Sequence, residues 1–320
     1  ADLSSARSIA LASAGGTIDT GANTATLSGA ITGTGGLTKA GSGTLNLTGT
    51  STYTGDTTVS AGTLNVHGTI ASTVDVASSA TLGGTGTVGG IRASGTVSPG
   101  NNGIGTLTVN GTYAATSGST LQIELGGANN HDRLVVNGRA TLDGTVRYVV
   151  QPGALSPSAT YQYLTASGGV SGQFASQSTV SSVDLSGYTI GTTYDSSSVS
   201  AVVTAKPLVS NSIVTGSQTF VVANQLDSIR NTATGDTQVV VNAILNLPSN
   251  TLPSALNQLT AQTTAASSRI GQSLSGGGTV RITDRMSSSS PTSSTAGVAQ
   301  LAAASLFGTD ANGFTTAQAR

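Results

Sequence analysis

Few side chains in this sequence are able to carry acid–base or metal chemistry. His67 and His131 are its two histidines, Glu124 is its only glutamate, and Asp132 follows His131 directly. No second histidine lies near either one in sequence, so a solvated or turn role is expected for both rather than catalysis. Asp132 closes an Asn-Asn-His-Asp turn, where a carboxylate favours hydrogen bonds to the backbone. Glu124 sits in Leu121-Gln-Ile-Glu-Leu125, alternating with apolar residues, and is expected to face outward. Paired carboxylates for glycoside cleavage would have to come from dispersed aspartates. The chain has no cysteine, which excludes a disulfide scaffold, a thiolate zinc site and a cysteine nucleophile. Gly84-Thr-Gly-Thr-Val-Gly89 formally matches a dinucleotide fingerprint, but the text after it is strand and turn, so a repeat corner is expected. A nucleophile elbow, a Walker loop and a glycine-rich calcium repeat are absent from the sequence. No catalytic, cofactor or metal residue is therefore assigned.

The elements that surround these residues follow from composition. Charged residues make up 8% of 320, against about 25% in a typical soluble domain. Lys39 and Lys206 are the only lysines, so long helical faces of Glu, Lys and Leu cannot be built. Disorder pairs low hydrophobicity with high net charge; this chain is 37% hydrophobic with a net charge of −1. That charge leaves no basic footprint, and no nucleic-acid partner is expected. No apolar run reaches the roughly 18 residues of a membrane helix. The first residues lack a signal peptide's basic and apolar regions, so the sequence reads as a mature chain or a fragment.

A Thr-Leu pair recurs at Thr26-Leu27, Thr44-Leu45, Thr63-Leu64, Thr81-Leu82, Thr106-Leu107 and Thr141-Leu142. Several pairs stand in one frame, as in Gly43-Thr-Leu-Asn-Leu-Thr-Gly49, Gly62-Thr-Leu-Asn-Val-His-Gly68 and Gly105-Thr-Leu-Thr-Val-Asn-Gly111. A strand this short cannot bury its own apolar face; coiling and stacking on the next copy, about 4.8 Å away, buries it. The expected class is all-β, a parallel β-helix, right-handed by the usual crossover rule. Leu27, Leu45, Leu64 and Leu82 are expected to form one inward ladder, with Leu47, Val66 and Gly84 in the next. His67 falls at an outward corner.

The stretch Gly36-Leu-Thr-Lys39, Gly43-Thr-Leu45, Thr52-Tyr-Thr-Gly55, Gly62-Thr-Leu-Asn-Val66 resembles the autotransporter-associated β-strand repeat. Ser98-Pro-Gly-Asn-Asn102, Asp132-Arg-Leu-Val-Val-Asn-Gly138 and Tyr161 to Phe174 resemble the carboxy-terminal rungs of passengers in the same family. The resemblance spans about Arg7 to Ala205. It implies a right-handed β-helix exported through an outer-membrane barrel of the same precursor, with residues near 100–205 as a stable folding core.

The texture changes after Lys206-Pro207. Phe220, Ala223, Leu226 and Ile229 have helical spacing, as do Val239, Val240, Ala243, Ile244 and Leu247. Leu252, Leu256 and Leu259 suggest a third short helix, capped by Ser249 or Asn250. The expected organisation is a β-helix over 1–206, a helical connector or cap over 207–270, and a low-complexity linker or tail over 271–320. That tail holds only Phe307 and Phe314 as aromatics and lacks the alternating strands of a barrel.

The expected function is a non-enzymatic cell-surface or secreted structural or adhesive passenger. Its expected partners are surface glycans, host or sister cells, further copies of itself, and the precursor's translocator barrel. A self-assembling extracellular filament and a polysaccharide-cleaving β-helix enzyme are the alternatives.

Overall fold

Thr-Leu-Asn-Leu at residues 44–47 alternates half-buried and buried, and the half-buried threonine followed by a buried aliphatic recurs at Thr63-Leu64, Thr81-Leu82 and Thr96-Val97 of the same sheet. The structure, a computed structural model, describes residues 3–101, 103–126, 130–151, 159–182, 185, 188–208, 217–229, 234, 241, 243, 244, 247 and 251–259. The expected tail over 271–320 and the caps Ser249 and Asn250 lie outside the described residues.

The strands stack into three faces, visited in turn as the chain coils. The first face is a nine-stranded parallel sheet running from Leu3–Ser5 to Ser176–Ser181. The second begins with Ile9–Leu11 and Ile31–Gly33. Backbone bonds from Thr52 N to Ile31 O and from Thr54 N to Gly33 O join it to a further eight strands. The third runs from Gly16–Asp19 to Val170–Gly172 in eight parallel strands. This is the parallel β-helix expected from the repeat.

The ladders differ from expectation in one respect. On the first face Leu45, Leu64, Leu82, Val97, Leu121 and Val146 form a single buried column, but its first buried member is Ala25, next to the exposed Leu3. Leu27 instead stands over Leu47, in the neighbouring column with Val66. The first turn is longer than the Thr-Leu spacing suggests, because Thr24 rather than Thr26 pairs with Thr44. Two later Thr-Leu pairs leave this face altogether. Thr106-Leu107 lies on the second face and Thr141-Leu142 on the third. Identical text serves any face, since each needs the same alternation.

Where the stack ends, Ser198–Ala205 pairs antiparallel with Thr160–Ala166 through residues 198–202, and Tyr188–Tyr194 lies beyond it. Parallel stacking thus stops on the second face. Gln177 takes the register position above Val146 and is exposed there. It donates from Nε2 to the Ile190 carbonyl at 2.6 Å and accepts from Thr192 Oγ1 at 2.8 Å. The Tyr148 hydroxyl lies 2.7 Å from Thr192 Oγ1 and 3.3 Å from that of Tyr163. A polar network therefore replaces the apolar column at its last position.

Contacts divide the chain into two compact units. Ala1–Gly153, Ala159–Ser182 and Ile190–Val202 form the first; Ala154–Ser158, Val183–Thr189 and Val203–Arg320 form the second. Within the second, Ser217–Ile229 is a helix, as its spacing predicts, and 252–259 is helical. Ala223, Leu226, Val241, Ile244, Leu252 and Leu256 are buried there, and Leu208 N donates to Asp227 Oδ1 at 3.0 Å. Among the described residues no helix is long and apolar enough to cross a membrane.

Candidate functional site

His67 is exposed at a corner, with Nδ1 3.2 Å from Thr85 Oγ1. The other three sequence candidates meet at one place. After strand Thr120–Leu125 the chain turns back on itself: Leu125 bridges His131 antiparallel, Gly126 N donates to Asn130 O, and Asp132 N donates to Glu124 O. His131 is 7% exposed and sits in this turn-back, so of the expected solvated or turn role it has the turn placement without the solvation. Its ring lies edge-on to Tyr161 at 5.4 Å, and Nε2 donates to the Gln162 carbonyl at 3.0 Å. Nδ1 has no partner among the described residues. Burial pushes the imidazole below its ordinary value and the nearby Arg133 adds to this, while the Gln162 carbonyl opposes both.

Asp132 is fully buried and does bond to backbone: Oδ1 accepts from Gly105 N and Oδ2 from Glu124 N, both at 2.8 Å. Arg133 stands opposite Thr106 in the preceding turn, so Asp132 reaches the equivalent corner one turn earlier. Burial raises its carboxyl to about 7, outweighing the two N–H donors, and the Glu124 charge adds to the rise. Glu124 faces outward by alternation, as expected, yet is only 4% exposed. Its Oε2 accepts from Gln151 Nε2 at 2.9 Å, and burial raises its carboxyl. Both carboxylates thus accept hydrogen bonds from within the chain. No group of three metal-ligating side chains forms among the described residues.

The Gly84–Gly89 segment takes in the end of strand Ala80–Gly84, a tight corner and the short strand Thr87–Val88, and is followed by strand Gly90–Ala93. Gly84 has φ +107°, and a Cβ there would stand 2.1 Å from the Val66 carbonyl oxygen. Its glycines answer close stacking on the previous turn rather than a phosphate.

Sequence reasoning assigned no role to Lys39, whose inward placement is legible in the alternation of Leu37-Thr-Lys39. Leu37 and Lys39 are both buried, and Lys39 stands between Ile18 and Val59 on the third face. Its ammonium donates to the carbonyls of Ala40 and Gly41 at 2.8 Å and of Ala61 at 3.2 Å. Three donors meet three acceptors, the full capacity of the group. Burial lowers its pKa, while the Asp19 carboxylate opposes the shift.

The outer surface of the first face is an ordered polar array. Thr24, Thr44, Thr63, Thr81, Thr96, Thr120, Thr145 and Ser176 stand in one register column. Beside it runs an amide ladder, in which Asn46 donates to Thr26 Oγ1, Asn65 to Asn46 Oδ1 and Asn101 to Asn65 Oδ1. Gly83 interrupts this column in sequence. Asn101, at φ 51°, swings over it and fills the missing place.

Residues 37–66 match the family model of the passenger-associated transport repeat. The match begins at the strand that carries Lys39 and ends at Val66, taking in one complete turn. This segment is an autotransporter passenger repeat, as its motifs suggest. Comparison with curated proteins returns no match.

Proposed function

We propose that the chain is a non-enzymatic passenger of an autotransporter-like precursor, exposing its β-helix at the cell surface or in secreted form. The carrying observation is the passenger repeat at 37–66, continuous with a three-faced coil that extends it on both sides. Such a repeat implies a secreted or surface location and association with a translocator barrel of the same precursor. Its Thr- and Asn-lined first face suits weak, multivalent adhesion to glycans or to other cells, because many equivalent contacts add through effective concentration. Protease accessibility on intact cells tests the location, and binding of the purified chain to glycan arrays and to cells tests adhesion. A chain that stays protected inside the envelope, or binds neither surface, is the contrary result.

A filament subunit is the second reading. Leu3 and Val180, the exposed large apolar residues among those described, lie on the first and last strands of the same nine-stranded sheet. Strands at the ends of a sheet accept further strands. Electron microscopy of the purified chain distinguishes fibres from dispersed monomers. The enzyme reading loses support from its named residues, because Glu124 and Asp132 are both buried and bonded internally.

A further inference from the structure

A β-helix built from near-identical strands has a register problem. A one-residue slip between turns exchanges core and solvent faces and is strongly disfavoured, but a two-residue slip preserves the alternation. The first face of this protein shows how close that competitor lies. Placing Thr26-Leu27 on Thr44-Leu45 would set leucine on leucine, yet the structure pairs Thr24-Ala25 with Thr44-Leu45. Apolar burial alone does not select the observed register.

The third face has a group that does select. Thr38 pairs with Thr58 and Lys39 with Val59. Lys39 is fully buried, and two of its acceptors, Ala40 and Gly41, belong to its own corner and are present in any register. The third, the Ala61 carbonyl, comes from the next corner, 22 residues on. It reaches the ammonium in the observed register, with residue 59 opposite residue 39, whereas the carbonyl two residues earlier, Val59, already accepts from Ala77 N. A two-residue slip withdraws the Ala61 carbonyl from a buried ammonium and offers in its place a carbonyl engaged in the ladder, and charge-assisted bonds are the costly ones to weaken. The structure assigns Lys39 as the register-setting residue of this repeat: it selects which carbonyl of the next turn docks, rather than adding net stability. Buried ionic groups act this way in other folds, where an apolar residue of similar size often leaves stability unchanged while specificity falls. Lys39 and Ala61 both lie inside the matched repeat, residues 37–66, so the bond is internal to the motif.

The absence of cysteine permits a direct test in the full chain. Thr38→Cys is combined with Thr58→Cys, the observed neighbour, and Ser60→Cys, the neighbour after a two-residue slip; adjacent strands lie within disulfide range. The chain is refolded from denaturant, oxidised and peptide-mapped. With Lys39 intact, the 38–58 disulfide is expected in at least tenfold excess over 38–60. With Lys39→Met the excess falls to about twofold or less, while the strand content by circular dichroism and the denaturation midpoint stay close to those of the Lys39 chain. Lys39→Gln, which keeps a donor able to reach one carbonyl, falls between them. An undiminished tenfold bias in the methionine chain overturns the assignment. Failure of both the methionine and glutamine chains to fold also overturns it, because that makes Lys39 a stabilising residue and not a selecting one.

Discussion

The ammonium of Lys39 donates to the carbonyl of Ala61, 22 residues later, from inside the β-helix. One residue thereby ties the corner that follows its own strand to the corner of the next turn. Truncation removes the stem and the donors together. Lys39→Ala is expected to cost roughly 3 kcal/mol from the cavity it leaves. Lys39→Met, which refills the volume, is expected to stay within about 1 kcal/mol of the parent. Chemical denaturation of the three chains measures the difference.

Asn101 and Gly83 form a complementary pair. A Cβ on Gly83 would lie 2.4 Å from the Asn101 Cβ and 2.9 Å from Asn65 Oδ1. Gly83→Ala is therefore expected to destabilise by about 1–3 kcal/mol through overpacking. Asn101→Gly gives up one amide bond but removes the penalty of a left-handed non-glycine, and should be nearly neutral. In the double variant the glycine at 101 removes the 2.4 Å contact and recovers part of the loss, the Asn65 and Ser98 oxygens staying at 2.9 Å, so the double-mutant cycle shows non-additivity.

Asp132 makes stability depend on pH. Its carboxyl is raised from 3.8 to about 7 in the folded chain, so folding takes up a proton between those values. The stability linked to this group is complete below about pH 3.8 and declines as pH rises to about 7. His131 has the opposite sign, since its lowered pKa costs stability as pH falls through the ordinary histidine range. Subtracting the profile of Asp132→Asn from that of the parent isolates the aspartate. The difference should fall with rising pH between 4 and 7 and then level off.

Gln177, exposed above Val146, is the last member of its column and bonds Ile190 and Thr192. Gln177→Leu keeps the size but removes both bonds. The expected loss is about 1–2 kcal/mol, seen locally as faster amide hydrogen exchange in residues 190–194. Unchanged protection there would show that the terminal strand is held by other contacts.

Much of the coil was legible. Alternation in Thr44-Leu-Asn-Leu47 identified strand and inward side chains, and glycine at the corners identified the turns. Lys39 was legible as well by the same alternation, although its apolar neighbours and its charge point in opposite directions. His131 and Glu124 were not. Both lie in a local turn-back whose burial depends on Tyr161, Gln151 and Gln162, residues 27 to 31 positions away for the contacts observed.

By itself the sequence determined that this is a stack of short strands with aliphatic residues inside, because a period of two states on which side of a strand each residue falls. It also determined the absence of cysteine chemistry and the scarcity of titratable groups. Only the tertiary structure decided which of three faces each strand joins and which residue it meets. Turn length on the first face varies from 15 residues, between Thr81 and Thr96, to 31, between Thr145 and Ser176. A two-residue periodicity has no memory of that count. The corners set it, through close approaches such as Gly84 on Val66 and through donors such as Lys39 that reach across turns.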